Sequence, residues 1–283
     1  MKKTVLFGAG QYGMMISRLA GPEFDVICFA DNSPQKQGTE LLGIPVVSPE
    51  ESMKLGPEAV CLCVADELRA KELKEKLREL GFEGEILSPE SLKFFDARFA
   101  AMRLLAEQLE KEKIPGEAAE LGVFRGAFAA AINGAFPKRT ICLFDTFEGF
   151  AEADVKAEKE NSYSKAQRGD FSQTGVEEVL KRLPHPERAE LHKGWFPESF
   201  DASCREKLFA FVSLDADLYA PTKAALPLFY DRLSPGGAIM VHDVNSLQYR
   251  GAGAAVEEFC RERKLLPVPV PDLHGSVIIR KGL

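Results

Sequence analysis

A single tryptophan and four histidines are spread over 283 residues, so indole and imidazole chemistry have few candidates. The six cysteines stand apart except Cys61 and Cys63, which alternate along a strand and lack the C-x-x-C spacing of a redox pair or zinc site. That pattern implies buried thiols in a reducing cytoplasm rather than a disulfide framework. No apolar stretch approaches a membrane span, and the short run after Met1 breaks at Gly8, too early for a secretory signal. A formal net charge of -7, with no basic stripe interleaved with aromatics, argues against a nucleic-acid partner. What remains is ordinary globular composition, 45% hydrophobic and 28% charged, in a length that suggests two domains.

The chain is organised around Phe209-Ala-Phe-Val-Ser-Leu-Asp-Ala-Asp-Leu-Tyr-Ala-Pro221. Phe209 to Leu214 reads as a strand buried on both faces, and its period of two puts Ser213, Asp215 and Asp217 on one side. Carboxylates at the end of an apolar strand are costly unless they cap a helix, bind a cation or meet a substrate. Ser234-Pro-Gly-Gly-Ala-Ile-Met-Val-His-Asp243 repeats this grammar and ends in His242 and Asp243. Ligands of open α/β sheets sit beyond the carboxyl ends of the strands, so the two endings are expected to converge on one site. Asp217, close before Pro221, is expected to cap the following helix.

At the N-terminus, a strand over residues 4–8 runs into Gly8-Ala-Gly-Gln-Tyr-Gly13 and a helical pattern, and a second strand, Asp25 to Ala30, ends at Asp31. This is G-x-G-x-x-G in strand-turn-helix context with an acid about 20 residues on, the arrangement that seats a pyrophosphate on a helix N-terminus and holds ribose hydroxyls. Gly8, Gly10, Gly13 and Asp31 are therefore candidates for a nucleotide; a turn kept only for packing is the competing reading. Residues 1–90 read as a small Rossmann-like domain. Residues 91–115 read as a connecting helix whose stripe of Leu92, Phe95, Phe99, Met102, Leu105, Ala106 and Leu109 suits core or a homodimer surface.

Residues 116–283 read as a second α/β domain. Ala118-Ala-Glu-Leu-Gly-Val-Phe-Arg-Gly126 is a strand opening onto a glycine turn, and the strand Thr140–Phe144 ends at Asp145, again about 20 residues beyond the turn. Gly122 and Gly126 make no crowded pyrophosphate cradle, so a nucleoside without phosphates, such as S-adenosylmethionine, suits this turn better. The polar residues 150–175 show no periodicity and suggest a lid or a solvated loop. Trp195, in Gly194-Trp195-Phe196, either stacks on an adenine or substrate ring or simply packs.

Over residues 117–281 the chain resembles the macrocin O-methyltransferase (TylF) family of S-adenosylmethionine-dependent sugar O-methyltransferases. The likeness rests on Glu120-Leu-Gly-Val-Phe-Arg-Gly126, Asp145-Thr-Phe-Glu-Gly149, Phe171-Ser172, Gly194-Trp-Phe196, Leu214-Asp-Ala-Asp-Leu-Tyr219, Leu233-Ser-Pro-Gly-Gly237 and His242-Asp243. It implies a class I S-adenosylmethionine-dependent methyltransferase fold. Glu120, Gly122, Val123 and Gly126 would lie along the methionine and adenosine, Asp145 and Thr146 at the ribose, and Gly194 and Trp195 beside the cofactor. Asp215 would act as base and metal ligand, with the pair after the fifth strand completing a magnesium site. That pair is usually Asp-Asp; His242-Asp243 suits manganese, iron or zinc better than hard magnesium, and His242 as the base itself or as a hydrogen-bonded core histidine are the competing readings. The first 90 residues resemble the N-terminal nucleotide-binding domain of sugar acyltransferases, through Asp31-Asn32 and Gly43-Ile-Pro-Val-Val-Ser-Pro-Glu-Glu51. Together these imply a cytoplasmic, homo-oligomeric enzyme that methylates a hydroxyl of a sugar, glycan or sugar-containing metabolite. The alternatives are a non-catalytic sugar-nucleotide binder and an NAD-dependent oxidoreductase, the latter lacking a Tyr-Lys or His-Asp pairing in the first domain.

Overall fold

The computed structural model describes residues 2–20, 24–64, 66–88 and 97–282. These fall into two compact units, one of Met1–Asp96 with Pro271–Leu273, the other of Ala97–Val270 with His274–Leu283. Leu92 and Phe95 of the expected stripe lie outside the described residues.

In the first unit the strands are β1 (Lys2–Phe7), β2 (Phe24–Ala30), β3 (Glu40–Leu41), β4 (Ile44–Val47), β5 (Ala59–Leu62) and β6 (Glu85–Leu87), with helices α1 (Gln11–Leu19), α2 (Pro49–Lys54) and α3 (Glu67–Glu79). The sheet order is β3-β4-β2-β1-β5-β6, parallel except for the β3–β4 pair. Alternation sends Val5, Phe7, Val60 and Leu62 to one apolar cluster and Leu6 and Cys61 to the opposite one, the period of two expected of a sheet covered on both faces. Ser48 caps α2 in a reciprocal arrangement with Glu51, and Asp66 caps α3.

The second unit comprises α4 (Ala97–Lys111), β7 (Glu117–Leu121), α5 (Ala127–Ala135), β8 (Ile141–Asp145), α6 (Glu152–Glu160), α7 (Val176–Arg182), β9 (Ala189–Lys193), α8 (Ala202–Arg205), β10 (Phe209–Leu214), α9 (Tyr219–Arg232), β11 (Leu233–Val241), α10 (Gly251–Arg263), β12 (Val268–Val270) and β13 (Ser276–Arg280). Its sheet runs β12-β13-β11-β10-β7-β8-β9. Only β13 breaks the parallel run, pairing antiparallel with β11 and β12. The chain winds outward from β7 through β8 to β9, then returns to lay β10 on the other side of β7, so the crevice beyond the carboxyl ends of β7 and β10 is the topological switch point. Both sheet faces are buried: Leu121, Phe144, Val212 and Val241 belong to one core, and Leu143, Phe211 and Met240 to the other. Each such side chain contributes roughly 1.5–3 kcal/mol by leaving water. All six cysteines are buried free thiols.

One expectation is narrowed and two are corrected here. Of the two roles open to the stripe on α4, core holds: Met102, Leu105, Ala106 and Leu109 are buried in the second unit's own core with Phe128, Ile132 and Phe211, and the argument for a dimer through this face falls. Residues 150–175 are not a structureless insertion: they include α6, which buries Asp154, Val155 and Glu158. Its two buried acids interrupt the apolar pattern by which a helix is recognised. Finally, Asp217 caps nothing. The N-cap of α9 is Leu218, without a side-chain bond, and the Tyr219 amide donates instead to Glu158 Oε1 at 2.7 Å.

Candidate active site

The carboxyl ends of β7, β8, β10 and β11 face a cavity of about 330 Å³. Such a volume falls at the lower end of the range for small-molecule sites. Gly122, Asp145, Thr146, Gly194 and Trp195 line it on one side, and Asp215, Asp217, His242, Asp243 and His274 on another. The convergence expected of the two strand endings is therefore present.

Gly122 has φ +84°, and a Cβ there would stand 2.0 Å from the Asp215 carbonyl oxygen. The close approach of the two strand ends thus requires glycine. Asp145 fixes the turn that follows: Oδ2 accepts from the Val123 and Phe124 amides at 2.8 and 2.9 Å, and Oδ1 from Phe147 at 2.7 Å. Three amides leave the carboxylate little capacity for further partners. Gly126 lies beyond the cavity lining, at the N-cap of α5. Glu120 is buried within β7, 1% exposed, and its Oε2 has no hydrogen-bond partner. Burial pushes its carboxyl well above the usual range, against the pull of Arg98.

Asp215 meets two cations. Its Oδ2 accepts from Arg98 Nη1 at 2.8 Å, and its Oδ1 lies 2.9 Å from His242 Nδ1, which is also 2.9 Å from Asp243 Oδ2. Burial works to raise the Asp215 carboxyl, but Arg98 and His242 outweigh it and hold it well below the usual carboxylate range. Burial alone would lower His242; the two carboxylates instead carry it up to about 10. Asp217 is pushed well up by burial and by the facing Asp243 and Asp215. The site thus holds two carboxylates, Asp215 and Asp243, around one shared imidazole.

Asp215, His242 and Asp243 each offer a ligand atom, all within 4.8 Å of one another. Two carboxylates and an imidazole fit a divalent cation of the manganese, iron or zinc type, which would take the place of the imidazolium proton.

Two participants escaped sequence reading. Arg98 lies on α4 in the same stripe as Met102, Leu105 and Leu109; a lone arginine at an apolar position of a helical stripe was the available signal. Its guanidinium also packs 3.8 Å over the Phe128 ring. His274 follows β12, with Nδ1 3.4 Å from Asp243 Oδ1 and its ring 5.5 Å from that of His242. Nothing local marks it, because the antiparallel return of β13 is what brings it to the site. Opposite, Trp195 Nε1 donates to Asp154 Oδ2 at 2.9 Å, placing the indole in the cavity wall.

The profile of the Macrocin-O-methyltransferase (TylF) family matches residues 67–278. The chain belongs to that family. Mycinamicin III 3''-O-methyltransferase of Micromonospora griseorubida is 30% identical over 48% of this chain and 58% of its own length. The 8-demethyl-8-(2,3-dimethoxy-alpha-L-rhamnosyl)-tetracenomycin-C 4'-O-methyltransferase of Streptomyces olivaceus is 27% identical over 63% of this chain and 70% of its own length. The chain therefore spans little more than half of the mycinamicin relative. Among solved structures, the calicheamicin methyltransferase CalS11 superposes with a TM-score of 0.54 at 20% identity, covering 77% of this chain and 88% of its own. That similarity assigns the methyltransferase fold to this TylF-family chain. Of the four first-unit residues singled out from the sequence, Gly8, Gly10 and Asp31 line a cavity of the first unit, and Gly13 packs beneath the same turn. Among the described residues no helix is long and apolar enough to cross a membrane.

Proposed function

We propose that this TylF-family protein transfers the methyl group of S-adenosylmethionine to a hydroxyl of a sugar or sugar-containing metabolite. The observation that carries the reading is the single cavity shared by the Gly122–Asp145 turn and the Asp215–His242–Asp243 cluster, which sets a nucleoside-type cradle against an acidic, potentially metal-binding wall. Family membership supports methyl transfer, and relatives whose names place the methyl on the 3'' oxygen of mycinamicin III and on the 4' oxygen of a rhamnosyl-tetracenomycin support the sugar acceptor.

In this reading Gly122 leaves room for the cofactor at the strand crossing, and the Asp145-anchored turn holds the adenosine side. Trp195, fixed by Asp154, forms a flat wall for the adenine or for the acceptor. Asp215, His242 and Asp243 would hold a divalent cation, His242 as the neutral imidazole; when bound, such an ion lowers the pKa of an acceptor hydroxyl and orients it. Transfer forms an O–CH₃ bond as the S–CH₃ bond breaks, leaving S-adenosylhomocysteine. Asp215, kept ionised by Arg98 on its other oxygen, accepts the hydroxyl's hydrogen bond and takes the proton as the O–CH₃ bond forms and that oxygen becomes strongly acidic. General-base assistance of this kind contributes about 10²–10⁴ in rate, and in-line positioning supplies much of the remainder.

The test is transfer of labelled methyl from S-adenosylmethionine to a panel of rhamnosides and other deoxysugar glycosides, with magnesium and manganese in turn. Asp215→Asn is expected to fold but to melt lower, because Arg98 and His242 lose their carboxylate, and to lose about 100-fold or more in kcat when assayed well below that melting temperature. An Asn variant as active as the parent protein removes Asp215 from the mechanism.

A further inference from the structure

The glycine turn of the first unit contains one glycine that the fold does not need. Gly8 has φ +124°, and a Cβ there would stand 2.8 Å from the Cys63 carbonyl oxygen; a Cβ on Gly13 would stand 2.1 Å from the Gly8 carbonyl oxygen. Both are demanded by the chain itself, as the packing reading of the motif requires. Gly10 differs. Its backbone is extended, with φ −127°, a conformation open to any residue, and among the described residues a Cβ there would meet nothing within 4 Å.

Gly10 faces a cavity of about 390 Å³ beyond the carboxyl end of β1, lined also by Gly8, Asp31, Asn32, Lys36 and Arg69. It is the N-cap of the nine-residue α1, where serine or aspartate would add a capping hydrogen bond; here no side chain caps, and the first turn carries no acid. Empty space, an uncapped helix start and two cations in the wall are what a phosphate group requires. The wall is not uniformly basic, since Asp31 and Glu72 share it. Asp31, however, is already engaged: Oδ2 accepts from the Ala9 amide at 2.8 Å and from Lys36 Nζ at 2.9 Å, and Oδ1 from the Ser33 amide at 2.9 Å. It fixes the turn much as Asp145 does in the second unit, and it keeps Lys36 beside the cavity.

We infer that the first unit binds the diphosphate of a nucleotide across residues 8–13, with Gly10 kept as glycine so that the phosphates approach the backbone and Lys36 and Arg69 supplying the countercharge. This site is separate from the methyl-transfer cavity, and its ligand is a phosphorylated nucleotide rather than S-adenosylmethionine.

Calorimetric titration of the full chain with ADP and with UDP, after saturation with S-adenosylhomocysteine to fill any adenosine pocket of the second unit, tests the inference. At least one of the two is expected to bind with a dissociation constant below about 100 µM. Gly10→Val is expected to weaken it tenfold or more without moving the melting temperature, and Lys36→Ala to weaken it several-fold. Three results would overturn the inference: no heat from either nucleotide, parental affinity in Gly10→Val, or a fall of several degrees in that variant's melting temperature. Nucleotide heat that S-adenosylhomocysteine abolishes would also overturn it, by placing the nucleotide in the second unit, and would leave the methyltransferase reading intact.

Discussion

Asp154 is the residue whose ionisation most directly reports on the cavity. It is 6% exposed; burial raises its carboxyl to about 6, the Trp195 indole pulls it down, and Glu198 and Glu158 add to the rise. Because the folded-state value lies above the unfolded one, the protein is not penalised while Asp154 stays protonated below about pH 4. The penalty grows between pH 4 and 6 and is complete above, at about 3 kcal/mol for a shift of about two units. Asp154→Asn, which can still accept from Trp195, is expected to melt higher than the parent at pH 8 and equally at pH 4, followed by thermal denaturation. Equal melting at both values would show that the carboxylate costs the fold nothing. Arg98 carries the opposite expectation. Its side chain is 9% exposed and pairs with Asp215 while Glu120 lies close by, so Arg98→Met leaves acids buried without their cation. His242 still faces Asp215, so a loss of about 1–3 kcal/mol in urea unfolding is expected.

At the scale of elements, most of the second unit was legible in the sequence because a buried parallel strand writes itself as an uninterrupted apolar run. Phe209–Leu214 stands where its run placed it, and Ile141–Asp145 lies one residue on from the expected Thr140–Phe144. The glycine turns were equally legible, since Gly122 answers to a close approach that no other residue tolerates. α6 was not, because its buried Asp154 and Glu158 serve tertiary partners, the Trp195 indole and the Tyr219 amide, that no local window contains. The same limit hid Arg98 and His274, each brought to the acids by an element distant in sequence. α4 belongs to this scale too. We propose that it is a structural helix of the methyltransferase unit, with the first domain ending before Ala97. Met102→Ala should then cost about 2–5 kcal/mol in urea unfolding, as a fully buried core truncation does; a solvated connector would lose less than about 0.5 kcal/mol.

The whole molecule joins two α/β units, each with a glycine turn after its first strand and an acid after its second. The turns differ in the way their chemistry demands. In the first unit an open space over Gly10 suits phosphates. In the second, Gly122 is pressed against the neighbouring strand and faces a cavity walled by Trp195 and the acids. Nucleotide binding in one unit and methyl transfer in the other would let a single chain engage an acceptor carried on a nucleotide. Calorimetry of the intact protein with S-adenosylmethionine, with and without manganese, tests the central claim most directly. Micromolar binding is expected, lost in Asp145→Ala because that substitution releases the amides of the turn, together with a manganese effect that His242→Ala abolishes. Absence of binding with and without the metal would contradict it.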